Sequence, residues 1–448
     1  EWKQYPVFHL DFNGNNFLEP DELQKTILEF LADGESQYGL PHGDETMGYR
    51  FKRLLKTAHE QTGLRCVVLI DEYDKPLLDV LDRPDTIRVN NVDKTFEEHN
   101  RDLLKGFYAV FKDADPDLRF VLLTGVTKFS QVSVFSGFNQ PNDISMAPKF
   151  DALCGITNQE LHTVFADSIR ELADAMQTTE EDMKSLLQRQ YDGYHFVENG
   201  VGIYNPFSLL NTFQRLRFGS YWFETGTPTY LVRLLQRDDY VLPNLTEEVA
   251  TADVLNSIDS FSSNPIPVIY QSGYLTIKGY DPEFGEYRLG FPNQEVEEGF
   301  MRYLLPFYTH VTAGESVFSI AKFVQDVRQG RPEQFMQRME TMFADTDYKI
   351  VGDSELYFQN VFYLVMKMMG FYTKVERPTS GGRMDMVIET PDYVYILEFK
   401  LDGTPQQALQ QIETRGYARP FAMDKRRVFR IGVNFSKQKR CIDGWEIQ

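Results

Sequence analysis

Near the end of the chain, two carboxylates and a lysine have the types and spacing of a metal-dependent phosphodiesterase. Glu398 and Lys400 lie two apart in the run Tyr393-Val-Tyr-Ile-Leu-Glu-Phe-Lys400, so on a strand both side chains leave the same face. Asp385 follows the Gly381-Gly-Arg383 turn on the preceding run, and a hairpin would bring it beside Glu398. Two converging carboxylates can bind Mg2+ or Mn2+, and the metal activates water and stabilises charge on phosphate. Lys400 can orient that water or neutralise the transition state. Glu355, near the start of the preceding helix, can add a carboxylate, while Gln411 and Tyr417 on the following helix can face the same cleft. E-x-K by itself also describes an exposed cross-strand ion pair on a sheet edge. The order helix-Glu, strand, strand-Asp, strand-E-x-K, helix-Gln, strand favours the active-site reading.

A second constellation lies in the first third. Cys66-Val-Val-Leu-Ile70 is an apolar run ending in Asp71-Glu72, which places two carboxylates at the C-terminal edge of a parallel sheet, where ligands of open α/β sheets bind. Asp71 suits a Mg2+-associated acid and Glu72 an acid that polarises attacking water. Thr124, ending the run Arg119–Leu123, is placed to sense a γ-phosphate. A strand ending in solvated acids has the same pattern. A phosphate loop, G-x-x-x-x-G-K-[ST], should accompany a nucleotide site, and the chain contains no Gly-Lys-Ser or Gly-Lys-Thr. The chain opens at Glu1, almost directly before the strand-like Pro6–Phe12. The expectation is that sequence has been lost upstream and that any such loop lies there, so ATP is expected as a ligand only if that loop is present.

The elements that must hold these residues alternate at first. Pro6–Phe12, Cys66–Ile70 and Arg119–Thr124 read as strands, the latter two as strands buried on both faces of a parallel sheet. Asp21–Leu31, Tyr49–Thr62 and Asn100–Phe111 carry helical spacing. The result is an α/β core over 1–156. Residues 157–250 read as a helical lid, with helix starts at Thr157-Asn-Gln-Glu160 and Asn205-Pro206. Helix plus hairpin over 251–312 resembles a winged-helix-like unit, 313–349 a helical connector, and 350–448 an αβββαβ restriction-endonuclease-like unit.

Charge separates these regions. The 448 residues carry 46 Lys+Arg against 66 Asp+Glu, a net −20. Residues 371–448 hold 13 Lys/Arg and 10 Asp/Glu, a net +3, which leaves −23 for the rest. A surface that is a polyanion glove throughout is excluded, while a local nucleic-acid contact at Lys425-Arg426-Arg427 or Lys437/Lys439/Arg440 fits, as does a solvated basic edge. The 42% hydrophobic content excludes a mainly disordered chain. Cys66, Cys154 and Cys441 are odd in number and far apart, which indicates neither disulfides nor a zinc ribbon and fits a reduced cytosolic, hence cytoplasmic, compartment. No run approaches a membrane span. The histidines are scattered, and the aromatic-rich stretches around Tyr194, His195, Trp222 and Thr225 read as packing.

Taken together, Val67-Val-Leu-Ile-Asp-Glu-Tyr-Asp-Lys-Pro76, Leu123-Thr-Gly-Val-Thr-Lys-Phe-Ser130, Tyr191-Asp-Gly-Tyr-His-Phe196, Tyr204-Asn-Pro-Phe-Ser208, Tyr221-Trp-Phe-Glu-Thr-Gly-Thr-Pro228, Gln271-Ser-Gly-Tyr-Leu-Thr276 and Phe291-Pro-Asn-Gln-Glu-Val296 carry a resemblance. So do Gly382-Arg-Met-Asp385, Leu397-Glu-Phe-Lys400 and Ala408-Leu-Gln-Gln-Ile412 with Tyr417. Over nearly its whole length the chain resembles bacterial proteins that join an AAA-ATPase-like domain to a C-terminal PD-(D/E)XK nuclease-like domain. The resemblance implies Asp71 as the Walker B acid, Glu72 as the hydrolytic acid, and Asp385, Glu398 and Lys400 as the nuclease core, with Glu355 and Gln411 in support. The missing phosphate loop departs from the pattern. The leading expectation is a nucleotide-regulated, metal-dependent nuclease acting on DNA or RNA through its C-terminal domain, with a homo-oligomer left open and no membrane partner. The alternatives are an ATP-gated interaction module with a non-catalytic nuclease-like scaffold, and an ATPase whose output is motion or assembly.

Overall fold

The computed structural model describes residues 3–448 apart from 82, 84, 90, 129–141, 225–230, 233, 236–239, 247, 257–263, 310–312, 345–353, 371–373, 377–384 and 440. At 224, 313–319, 344, 354–357, 359, 374–376 and 385 it describes the backbone alone.

Apolar alternation in the first third produces strands β1 (Val7–Asp11) and β2 (Cys66–Asp71). Between them run helices Glu22–Gln37 and Met47–Thr62. A hairpin, β3 (Thr86–Val89) and β4 (Val92–Thr95), leads into helix Phe96–Tyr108, whose start is fixed by a reciprocal Thr95–Glu98 capping box. Strand β5 (Leu118–Leu123) completes a parallel sheet of order β1-β2-β5. One face is covered: Phe8, Leu10, Val68 and Ile70 pack with Phe51, Leu54 and Phe107 from the helices. The other face is open. Val7, Phe120 and Leu122 are 54%, 52% and 36% exposed, and Val67 and Leu69 between them are half-buried. The expectation that Cys66–Ile70 and Arg119–Thr124 are buried on both faces is therefore corrected. An apolar run reads as doubly buried only if something covers its second face, and among the described residues no strand pairs with the outer edge of β5.

The next region is helical, as its pattern predicts. Two short strands, β6 (Ile156–Thr157) and β7 (Ile203–Tyr204), pair beside helices Asn158–Val164, Ala166–Ala175, Glu180–Tyr191 and Pro206–Arg215. Thr157 and Glu160 form the expected capping box, and the Asn205 side chain accepts from the Ser208 amide. These helices share a small core of Leu161, Leu172, Met183, Leu187 and Tyr204. An antiparallel sheet of order β8-β10-β9 follows, from β8 (Val249–Thr251), β9 (Thr276–Asp281) and β10 (Glu286–Gly290), with helix Ile266–Gln271 between β8 and β9. Helices Gln294–Tyr308, Ala313–Arg328, Pro332–Ala344 and Ser354–Gly370 connect it to the last sheet.

That sheet has the order β11-β12-β13-β14-β15, from β11 (Lys374–Glu376), β12 (Asp385–Glu389), β13 (Tyr393–Leu401), β14 (Arg427–Ser436) and β15 (Cys441–Ile447). Only β13 and β14 run parallel, and helix Pro405–Arg415 makes the crossover between them. Alternation along β13 sends its residues to two different layers. Tyr395 and Phe399 meet the connecting helices: the Tyr395 hydroxyl donates to the Val327 carbonyl at 2.7 Å, and Phe399 stacks edge-on against Phe362 with centroids 4.3 Å apart. Val394 and Ile396 instead pack with Leu409 and Ile412 of the crossover helix. The helix ends at Arg415, before the expected Tyr417, because Gly416 takes the left-handed conformation (φ 65°) that stops it. Mixed α/β architecture with an N-terminal parallel sheet and a C-terminal mixed sheet is thus what the chain folds into.

Candidate functional site

The period of two places Glu398 and Lys400 on the crossover-helix face of β13, in line with Val394 and Ile396. Glu398 pairs in register with Asp385 of β12 on one side and Gly432 of β14 on the other. At Gly432 a Cβ would meet the Pro405 carbonyl oxygen at 2.2 Å, so glycine here lets the start of the helix sit close over the sheet. Glu398 is 0% exposed. Its Oε1 accepts from Lys400 Nζ at 3.2 Å, and Lys400 Nζ also donates to Gln411 Oε1 on the helix. Glu398 Oε2 is buried without a hydrogen-bond partner. A buried carboxylate oxygen left unsatisfied is costly, and such orphans collect at functional sites. Glu398 and Lys400 therefore do not form an exposed edge pair. Glu355 and Asp385 occupy helix Ser354–Gly370 and β12, and their side chains lie outside the described residues, as do Thr225 and the Gly381–Arg383 turn.

An orphaned oxygen beside the register position of a second carboxylate fits a divalent ion. Asp385 and Glu398 are the residues that could hold it. Among the described residues no group of three or more His, Cys, Asp or Glu could hold a metal by itself.

At the other constellation, the ends of β2 and β5 bring Asp71 and Thr124 together: the Thr124 hydroxyl donates to Asp71 Oδ1, which also accepts the Glu72 amide at 3.1 Å. Asp11 of β1 is the register partner of Asp71. Asp71 is exposed. Glu72 is half-buried in a left-handed conformation (φ 51°), which non-glycine residues adopt at a cost. Burial raises its carboxyl above the ordinary range; Lys75 opposes this, and Asp71, Asp74 and Asp11 add to it.

Sequence reasoning missed what stands behind these acids. Asp74 is wholly buried, and its Oδ2 accepts the Thr127 hydroxyl at 2.7 Å while Oδ1 accepts the Val126 amide at 3.2 Å. Burial holds its carboxyl above the usual range against those bonds. One residue on, the Lys128 ammonium donates to Asp143 at 2.7 Å and Asn256 at 2.8 Å, and its amide donates to Gln271, at the end of helix Ile266–Gln271. The loop after β5 is thereby tied to the antiparallel region. The Asp71-Glu-Tyr-Asp74 run after the strand gave no sign that its last acid faces inward. Tyr194 and Trp222 pack as expected, Tyr194 buried and Trp222 tilted against Tyr274 with centroids 5.3 Å apart.

Two family models match the chain: a predicted AAA-ATPase over residues 1–135 and the PD-(D/E)XK nuclease superfamily over 353–445. The chain is similar to an uncharacterized protein in the vnfD 5′ region of Azotobacter chroococcum mcd 1. The two are 34% identical over 460 residues, which take in 100% of this chain and 84% of that protein. No solved structure matches. Among the described residues no helix is long and apolar enough to cross a membrane.

Proposed function

Because the chain belongs to the family that joins a predicted AAA-ATPase-like domain to a PD-(D/E)XK nuclease superfamily domain, we propose that it is a nucleotide-regulated, divalent-metal-dependent nuclease. The observation that carries this reading is Glu398, wholly buried, with one oxygen on Lys400 and the other without a partner, in register with Asp385. Asp385 and Glu398 hold Mg2+ or Mn2+, and Glu355 supports them. The bound ion supplies Lewis acidity toward the phosphate and a more acidic water. Lys400 places its ammonium beside the reacting phosphate, and Gln411 fixes its direction by accepting a hydrogen bond from it. The apolar packing of Val394, Ile396, Leu409 and Ile412 sets the helix on the sheet and so holds Gln411 in place.

In the N-terminal region, Asp71 takes the Mg2+-associated role, Glu72 the hydrolytic one and Thr124 senses phosphate. The open edge of β5 and the apolar face of Val7, Phe120 and Leu122 would accept a strand and helix that carry a phosphate loop, so ATP binding requires that unit. The β8–β10 region is read as winged-helix-like, with domain boundaries at 1–156, 157–250, 251–312, 313–349 and 350–448.

The test incubates the protein with DNA and with RNA, with Mg2+ or Mn2+, with and without ATP. Cleavage that Glu398→Ala and Lys400→Ala abolish is expected. No cleavage, or cleavage that neither substitution changes, overturns the nuclease reading. The Lys400–Glu398 ion pair favours a second reading, a non-catalytic scaffold, since it already occupies one carboxylate oxygen. Titration with Mn2+ separates the two: a scaffold shows no saturable binding that Glu398→Ala removes.

A further inference from the structure

Residues Arg415–Arg427 leave the crossover helix and return to the start of β14. The segment reads Arg-Gly-Tyr-Ala-Arg-Pro-Phe-Ala-Met-Asp-Lys-Arg-Arg, with five basic residues and one acid, a net +4 in a chain of net −20. Its cations are not equivalent. Arg426 is committed to structure: it bonds Asp424, Glu389 at 2.8 Å and the Thr390 carbonyl at 3.1 Å. Arg415, Arg419, Lys425 and Arg427 are exposed, and among the described residues none has an acidic partner. Of the acids nearby, Asp424 and Glu389 are engaged by Arg426 and Glu413 by Arg430 at 3.8 Å; Asp392, exposed, lies beside Arg427, whose amide donates to its carbonyl at 3.2 Å and whose guanidinium sits over the Phe429 ring.

The placement is as informative as the charge. Arg415 is four residues beyond Gln411 and so lies one turn further along the same side of the helix that reaches Lys400. Along the sheet, Lys400 pairs with Asn434 and Tyr393 pairs with Arg427, seven residues apart, a span of about 23 Å. This equals about seven base pairs at 3.4 Å each.

We propose that Arg415–Arg427 is a track for the phosphate backbone of duplex DNA, gripping the substrate out to about seven base pairs from the cut. The inference rests on the nuclease reading for the position of the cut, though not for the binding. The chemistry of the segment selects the duplex. Single strands are held by stacking on aromatic rings, and RNA through its bases and 2′-hydroxyls. The segment has no Ser, Thr, Asn or Gln, and its two rings, Tyr417 and Phe421, pack against the Val394–Ile412 core. What remains outward is cationic, together with Met423, which is 95% exposed.

The test uses the full chain with Arg415→Ala, Arg419→Ala and Lys425→Ala combined. A control removes three exposed lysines elsewhere, Lys25, Lys56 and Lys112. Fluorescence anisotropy follows binding of a duplex of about 30 base pairs without divalent metal, over a salt series, with thermal melting to verify folding. The expected result is binding at least about tenfold weaker and a log–log salt slope smaller by about 3 in the track variant, with the control unchanged. Equal loss in the control, an unchanged slope, or binding of single strands or RNA duplexes as tight as that of DNA duplexes overturns the track. If cleavage fails but the track variant still loses DNA binding, the nuclease reading falls and the track stands. If cleavage occurs and the variant binds normally, the track alone falls.

Discussion

The two acidic constellations differ in what surrounds them. Asp71 ends a strand in a three-stranded sheet with one open face, is exposed, and meets a threonine hydroxyl and an amide. Glu398 lies on the middle strand of five, is closed over by a helix, and keeps one oxygen unsatisfied. An exposed carboxylate is solvated at almost no cost and gains nothing until a ligand arrives. A buried one must be compensated by hydrogen-bond donors, a cation or a metal, and Glu398 has only Lys400 on one oxygen and nothing on the other. Among the described residues Glu398 is therefore the more enclosed of the two acids.

The sharpest way to break this contrast is chemical. Glu398→Ala should lower cleavage about 1,000-fold, the scale of several kcal/mol of lost metal and phosphate stabilisation, measured on labelled DNA. Asp71→Asn should leave metal-dependent cleavage in the absence of ATP unchanged. Equal losses at both positions would mean that the two sites are not separable.

Stability gives the second contrast. Lys400→Ala leaves the Glu398 charge buried without its cation and should cost about 3 kcal/mol in urea unfolding, most of it recovered when Glu398→Gln is added. Asp71→Asn, at the exposed site, should change stability by less than about 0.5 kcal/mol.

A third test lies within the N-terminal region, where one carboxylate is buried and fully compensated. Glu35 bonds Arg50, His42 and Arg53, and these contacts, led by Arg50, hold its carboxyl down at about 2 against a reference of 4.5. A depressed folded-state value means that the stabilisation is fully present above pH 4.5 and is lost as pH falls towards 2. Acid titration of the melting temperature should show that loss, on the order of 2 kcal/mol, and Glu35→Gln should remove it. The smallest effect concerns backbone strain. Glu72→Gly should raise stability by about 0.5 kcal/mol, because glycine takes the left-handed conformation freely, whereas Asp74→Ala should lower it by breaking the bonds to Val126 and Thr127.

Much of this was legible in the sequence where the signal is local. The strand patterns of the first third lie close to the observed boundaries, the helix starts expected at Thr157 and Asn205 form, and the hairpin that sets Asp385 against Glu398 follows from strand alternation. Strand β15 was missed because Cys441-Ile-Asp-Gly-Trp-Glu-Ile447 mixes polar and apolar residues as an edge strand can. The exposure of β5 was misread because Leu118–Leu123 has the composition of a doubly buried strand. Asp74 could not be told from its neighbours Asp71 and Glu72, since all three follow the same run.

By itself the sequence determined residue types, periodicity and spacing, which suffice to put Glu398 and Lys400 on one face of a strand and Asp71 at a strand end. Only the tertiary structure decided which carboxylate is buried, which oxygen lacks a partner and which arginines remain uncommitted. Burial and ion pairing depend on groups far apart in the chain, such as Gln411 over Lys400 and Gly432 beside Glu398, and no local pattern records them.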